Sequence, residues 1–83
     1  MKYKAEINVM PLKELLDPQG KAVTSSMINL GLPTIQNVRV GKHISLEVEA
    51  ESKEKANEMV EQACKKLLAN LIMESYEFEV NPS

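Results

Sequence analysis

The chain has one cysteine, one histidine, no tryptophan and a single phenylalanine among 83 residues, and each scarcity removes a class of explanation. A lone Cys64 excludes an internal disulfide and every Cys-x-x-Cys redox or metal motif. A lone His43, with no second His or Cys nearby, leaves no ordinary zinc ligand set. No basic block exists either: ten Lys and Arg are spread among twelve Asp and Glu for a net charge of -2, which argues against phosphate neutralisation and nucleic-acid binding. No apolar run approaches the roughly 18 residues that span a bilayer, and the opening MKYKAEINV alternates where a signal peptide would be continuously apolar. A soluble, cytoplasmic protein is expected.

What is present is an ordinary globular balance, 43% apolar and 27% charged. At this length one domain over residues 1–83 is expected. Such a chain buries only about 60 to 65% of its unfolded surface, so its own core is thin and a partner subunit is a natural supplement.

Tyr3, Ala5, Ile7 and Val9 alternate with Lys4, Glu6 and Asn8, a period of two that predicts a half-buried strand ending near Met10-Pro11. Asp17-Pro18 predicts a helix start, the Asp accepting first-turn amide hydrogens and the proline losing no needed donor. Ala22, Val23, Met27 and Leu30 then form a stripe expected to face inward, and Gly31 ends the helix. Ile35 to Val40 reads as a strand and Gly41-Lys42 as a tight corner, leading into the alternating His43 to Ala50 and so predicting a hairpin.

Ser52 caps a second helix with the strongest periodicity of the chain: Ala56, Met59, Val60, Ala63, Cys64, Leu67 and Leu68. Lys65 and Lys66 suit its last turn and Asn70 its C-terminus. A last strand spans Ser75 to Val80. The expected fold is α+β, a ferredoxin-like β-α-β-β-α-β sandwich with two helices on one face of a four-stranded, mainly antiparallel sheet. Its bare face should carry Lys4, Glu6, Asn8, Ser45, Glu47, Glu49, Glu77 and Glu79.

No catalytic constellation emerges. His43 sits beside a turn with no Ser, Cys or Asp placed to form a relay, so an exposed histidine is the simpler account. Cys64 shares the inward stripe with Val60 and Leu67 and is expected to be a buried structural thiol. Arg39-Val40-Gly41-Lys42 brackets a glycine with two cations but lacks the Gly-rich loop into a helix that a P-loop needs. Arg39 suits a bidentate or interface contact better than hairpin chemistry. Gly20, inside a first helical turn, costs up to about 1 kcal/mol relative to alanine, which points to a close backbone approach. The residues favour a binding or scaffolding module over an enzyme.

Three stretches in register, Leu15-Leu-Asp-Pro-Gln-Gly20, Val38-Arg-Val-Gly-Lys-His-Ile44 and Ala63-Cys-Lys-Lys-Leu-Leu-Ala-Asn70, followed by Glu74-x-Tyr76, resemble the PurS family. That family is the small subunit of phosphoribosylformylglycinamidine synthase. The resemblance covers essentially the whole chain. Two departures stand out: the segment before Asp17 is one residue shorter than usual, and Leu71 replaces the proline that commonly follows Ala-Asn.

The resemblance implies a non-catalytic subunit of a purine-biosynthesis ligase. A glutaminase subunit releases ammonia from glutamine, and a large synthetase subunit uses it with ATP and Mg to convert formylglycinamide ribonucleotide to formylglycinamidine ribonucleotide. The small subunit forms a homodimer, bridges the two and supports ammonia transfer, binding no cofactor itself. It places Asp17, Gln19, Gly20, Arg39, Gly41 and Lys42 at partner contacts. Architecture alone leaves a second reading open, a dimeric ferredoxin-like module that binds a small regulatory molecule.

Overall fold

The structure is a computed structural model that describes residues 1–83. Strand β1 (Lys2–Pro11) is central in a three-stranded antiparallel sheet of order β2-β1-β3, with β2 Lys42–Glu49 and β3 Glu74–Pro82. Ile7 lies opposite both Ile44 and Phe78 across the two ladders, so the inward row is continuously apolar. That row meets helix α2 (Lys53–Ala63), whose Ala56 and Val60 are buried together with Tyr3, Ala5, Ile7, Val9 and Val80. The period of two on β1 and the 3.6-residue period of α2 thus meet in one layer contact. Tyr76 of β3 adds a polar tie by donating its hydroxyl to Glu61 of α2 at 2.9 Å.

Both helix starts form as the sequence dictates. Asp17 accepts from the Gly20 amide with Pro18 at the first position of α1 (Pro18–Asn29), and Ser52 accepts from the Lys55 amide. Gly31 takes φ +81° just past the end of α1, the left-handed region glycine enters freely. The polar set on the outer sheet face lies toward solvent, with Glu6 half-buried and the other seven exposed.

Three expectations fail. The sheet has three strands, not four, because residues 35 to 40 form no strand and Gly41-Lys42 no hairpin. The amides a fourth strand would pair are taken by side chains: Val38 donates to Thr24 Oγ1 at 3.1 Å and Val40 to Asp17 Oδ2 at 3.0 Å. Asn37, at φ +57°, interrupts the extended run.

Helix α1 also does not join α2 on the sheet. It buries Gly20 alone, and Ala22, Ile28 and Leu30 are exposed. The radius of gyration is 16.4 Å, against about 12 Å for a compact chain of this length, and the molecule measures 51 × 26 × 14 Å. Helix α1 and residues 36 to 41 form an arm at one end of a thin sandwich.

The third correction lies in the second helix. After Ala63 the backbone widens into a π turn (Cys64–Leu68), closed by the Ala69 amide donating to the Cys64 carbonyl at 3.0 Å. The wider turn shifts the phase of the stripe, so Leu67 faces solvent at 82% exposure while Cys64 and Ala69 are buried. Met59, on the flank of the stripe, is also exposed. Cys64 is the buried thiol expected, and burial, followed by the nearby Glu61 charge, pushes its pKa up. Asn70 caps no helix: its amide donates to Glu74 Oε1 and its side chain accepts from the Ile72 amide, shaping the loop into β3.

Candidate partner-contact site

Asp17 is the centre of the arm. Its Oδ1 accepts from the Gly20 amide at 3.1 Å, and its Oδ2 accepts from the Val40 amide at 3.0 Å. One carboxylate therefore starts α1 and fastens a segment more than twenty residues later. The Gly20 hydrogen bond most of all, then the Val40 one, holds the Asp17 carboxyl below its ordinary value, and the Arg39 charge assists. Thr24, one turn along, donates to the Gly20 carbonyl at 2.9 Å and accepts from the Val38 amide.

This clasp explains Gly20. A Cβ there would lie 2.2 Å from the Val38 carbonyl oxygen and 2.5 Å from Asp17 Oδ2, so the close backbone approach inferred from sequence is made by the chain itself. Gly41 has a parallel reason, since a Cβ would come within 2.3 Å of Met10 Sδ and of the Val9 carbonyl. Arg39 reaches back to donate to the Pro11 carbonyl, tying the segment to the end of β1. Lys42 sits 3.8 Å from Glu74 across the sheet end, with half of its side chain exposed. Of the six residues singled out by sequence, Asp17, Gly20, Arg39 and Gly41 build the arm, and Gln19 and Lys42 remain directed outward.

Beside the clasp opens a groove of about 360 Å³, lined among others by Pro11, Leu15, Leu16, Pro18, Gln19 and Met73. Leu16 is 67% exposed and Ile72 84%, so this end of the molecule presents apolar side chains to solvent. Sequence reasoning missed the 71 to 73 part of it. Its signal was the Leu71-Ile72-Met73 run, apolar without strand or helix periodicity and next to Asn70.

The other candidates do not assemble a reaction centre. His43 lies on the open sheet face within 2.6 Å of both Glu6 and Asn8. Ser45 donates its hydroxyl hydrogen bond to Glu6 rather than to His43, so hydroxyl and imidazole are not paired as nucleophile and base. No three His, Cys, Asp or Glu side chains converge as metal ligands. No helix is long and apolar enough to cross a membrane.

The chain is similar to known proteins over nearly its whole length. Residues 4–82 match the family model PurS, described as phosphoribosylformylglycinamidine (FGAM) synthase. The phosphoribosylformylglycinamidine synthase subunit PurS of Thermotoga maritima is 43% identical over 76 residues, covering 90% of this chain and 92% of that protein. Its Bacillus subtilis counterpart is 36% identical over 78 residues, covering 94% and 92%. Among solved structures, a chain of PurLQS from Thermotoga maritima superposes with a TM-score of 0.89 at 37% identity, over 98% of this chain and 99% of that one. Bacillus subtilis PurS gives 0.84 at 35%, over 95% and 98%.

Proposed function

The chain belongs to the PurS family of phosphoribosylformylglycinamidine synthase subunits, and from that premise we propose that it is the non-catalytic assembly subunit of that enzyme in purine biosynthesis. It joins the glutaminase and ATP-dependent synthetase chains in the cytoplasm, so that ammonia released by one reaches the other. ATP, Mg and glutamine are handled by those partners. The observation that carries this reading is the near-complete superposition on a chain of the PurLQS assembly.

The clasped end is the surface offered to a partner chain. Pre-ordering of the Asp17-Pro18-Gln19-Gly20 turn by the side chains of Asp17 and Thr24 lowers the ordering cost of docking, and Leu15, Leu16 and Met73 supply apolar area beside it. Gln19 and Lys42 face outward for polar contact. A homodimer is supported by the uncovered surface: β2 is an open edge, and Ile28, Leu30, Leu32 and Ile35 on and after α1 are exposed.

Reconstitution tests the assignment. Adding this chain to purified glutaminase and synthetase chains should restore glutamine-dependent conversion of formylglycinamide ribonucleotide, and no gain over the two large chains alone would refute it. Light scattering at micromolar concentration should give twice the monomer mass.

A further inference from the structure

A second cavity, of about 590 Å³, adjoins the clasp, and three cationic residues line it: Lys13 from the turn after β1, Lys21 from the first turn of α1, and Arg39. Three separate stretches of chain thus bring positive charge to one place in a protein whose net charge is -2. Asp17 is the one carboxylate in the wall, and both of its oxygens already accept backbone amides, from Gly20 and Val40. Glu14, beside Lys13, lines the neighbouring cavity with Glu77 instead. Lys4, Lys42, Lys55 and Lys65 each lie within 3.8 Å of a glutamate, whereas Lys13, Lys21 and Arg39 form no ion pair within the chain.

We propose that this cavity receives an acidic segment of a partner chain, with an Asp or Glu carboxylate held between Arg39 and the two lysines. The inference rests on the assembly role above and names the chemistry of one contact within it. Arg39, the only arginine of the chain, is half-buried and tethered by its bond to the Pro11 carbonyl, which leaves other guanidinium N–H groups for a carboxylate. A partly desolvated cation without a counter-ion is unfavourable, and an incoming carboxylate offsets that. Leu15 and Leu16 form an apolar flank of the same cavity, and Leu16 is largely exposed. An acidic side chain on a protein segment covers that flank as well as the charge, which a free phosphate does not. The backbone amides that a phosphate site recruits are also taken here: those of Gly20 and Val40 by Asp17, and that of Val38 by Thr24.

Lys13 and Lys21 test the charge without loosening the arm, since both are exposed and neither side chain belongs to the hydrogen bonds of the clasp. Arg39 also ties the arm to β1, so its replacement would mix docking with stability. Titrating the full chain into the purified glutaminase and synthetase chains, with complex formation followed by sedimentation, gives the assembly affinity. A Lys13→Gln, Lys21→Gln double variant should weaken it by about 2- to 30-fold, the combined size of two exposed ion pairs. Lys13→Glu with Lys21→Glu should weaken it further, and added salt should weaken native assembly more steeply than that of the Gln variant.

Equal affinity of the native chain and the Gln double variant overturns the proposal, as does an equal loss in a Lys53→Gln, Lys66→Gln control of the same charge. A melting point of the isolated chain that rises with inorganic phosphate at fixed ionic strength, and no longer does so in the Lys13→Gln, Lys21→Gln variant, assigns the cavity to a free anion and overturns it too. Failure of the native chain to join the two large chains refutes the assembly role itself, and this inference with it. Native assembly to which the lysine variants are indifferent refutes this inference alone.

Discussion

The sandwich and the arm are held by different forces. In the sandwich, β1 and α2 bury Tyr3, Ala5, Ile7, Val9, Ala56 and Val60 with no buried polar side chain, so cohesion comes from apolar area removed from water. The arm buries Gly20 alone and is held by the carboxylate of Asp17, the hydroxyl of Thr24 and the guanidinium of Arg39, each bonded to backbone. Apolar burial is strong but non-directional. Hydrogen bonds to backbone are individually modest but set position, which is what a docking surface needs.

The contrast is broken most severely from the sandwich side. Ile7→Ala empties a fully buried site opposite Ile44 and Phe78, and should cost about 2–5 kcal/mol, a large share of the stability of so small a domain. Thermal or urea unfolding by circular dichroism measures it. A loss below about 1 kcal/mol would show that the sheet is held by something other than this core.

Gly20→Ala attacks the arm alone. The new methyl must displace the Val38 carbonyl, which is backbone, so a cost of about 1–3 kcal/mol is expected, read as faster amide exchange at Val38 and Val40 with exchange in β1 unchanged. Reconstituted synthase activity should fall with it. Equal acceleration in β1 would mean that arm and sandwich are one cooperative unit.

Asp17→Ala removes both carboxylate contacts and should lower the melting point by about 5 °C, in the range of a lost helix cap. The same group makes the arm acid-sensitive. Its folded pKa lies below the ordinary 3.8, so its stabilisation is present above that value and lost as pH falls through the folded one. Below about pH 4 the amides of Gly20 and Val40 should therefore lose protection before those of β1, and Asp17→Asn should abolish that pH dependence.

The smallest effect is expected from Thr24→Val, which leaves the Val38 amide without its partner in a half-buried position. About 1 kcal/mol and a local rise in exchange are expected.

How much was legible in the chain follows the same division. The alternation of residues 3 to 9 and the stripe positions Ala56, Val60 and Cys64 each report one face of one element and face the core as expected, whereas Met59 on the flank of that stripe is exposed. Leu67 breaks that stripe because the π turn depends on how the last turn closes, which no side-chain period encodes. Residues 35 to 40 were misread for a related reason. Their composition suits a strand, and the competitors for their amides, Asp17 and Thr24, lie 14 to 23 positions away along the chain. Asp17 itself was legible as a helix cap, but its second bond to Val40 was not.

The amino-acid sequence by itself determined the helix starts at Asp17 and Ser52, the strand faces of β1, β2 and β3, the burial of Cys64, and, through three short stretches, the family. These depend on neighbours within about one helical turn or on a pattern of fixed period. Only the tertiary structure decided that α1 stands off the sheet, that Gly20 makes room for the chain's own Val38 carbonyl, and that His43 lies between Glu6 and Asn8. Those outcomes turn on which distant group reaches a given amide, carbonyl or ring nitrogen first, a competition settled only when the chain is folded.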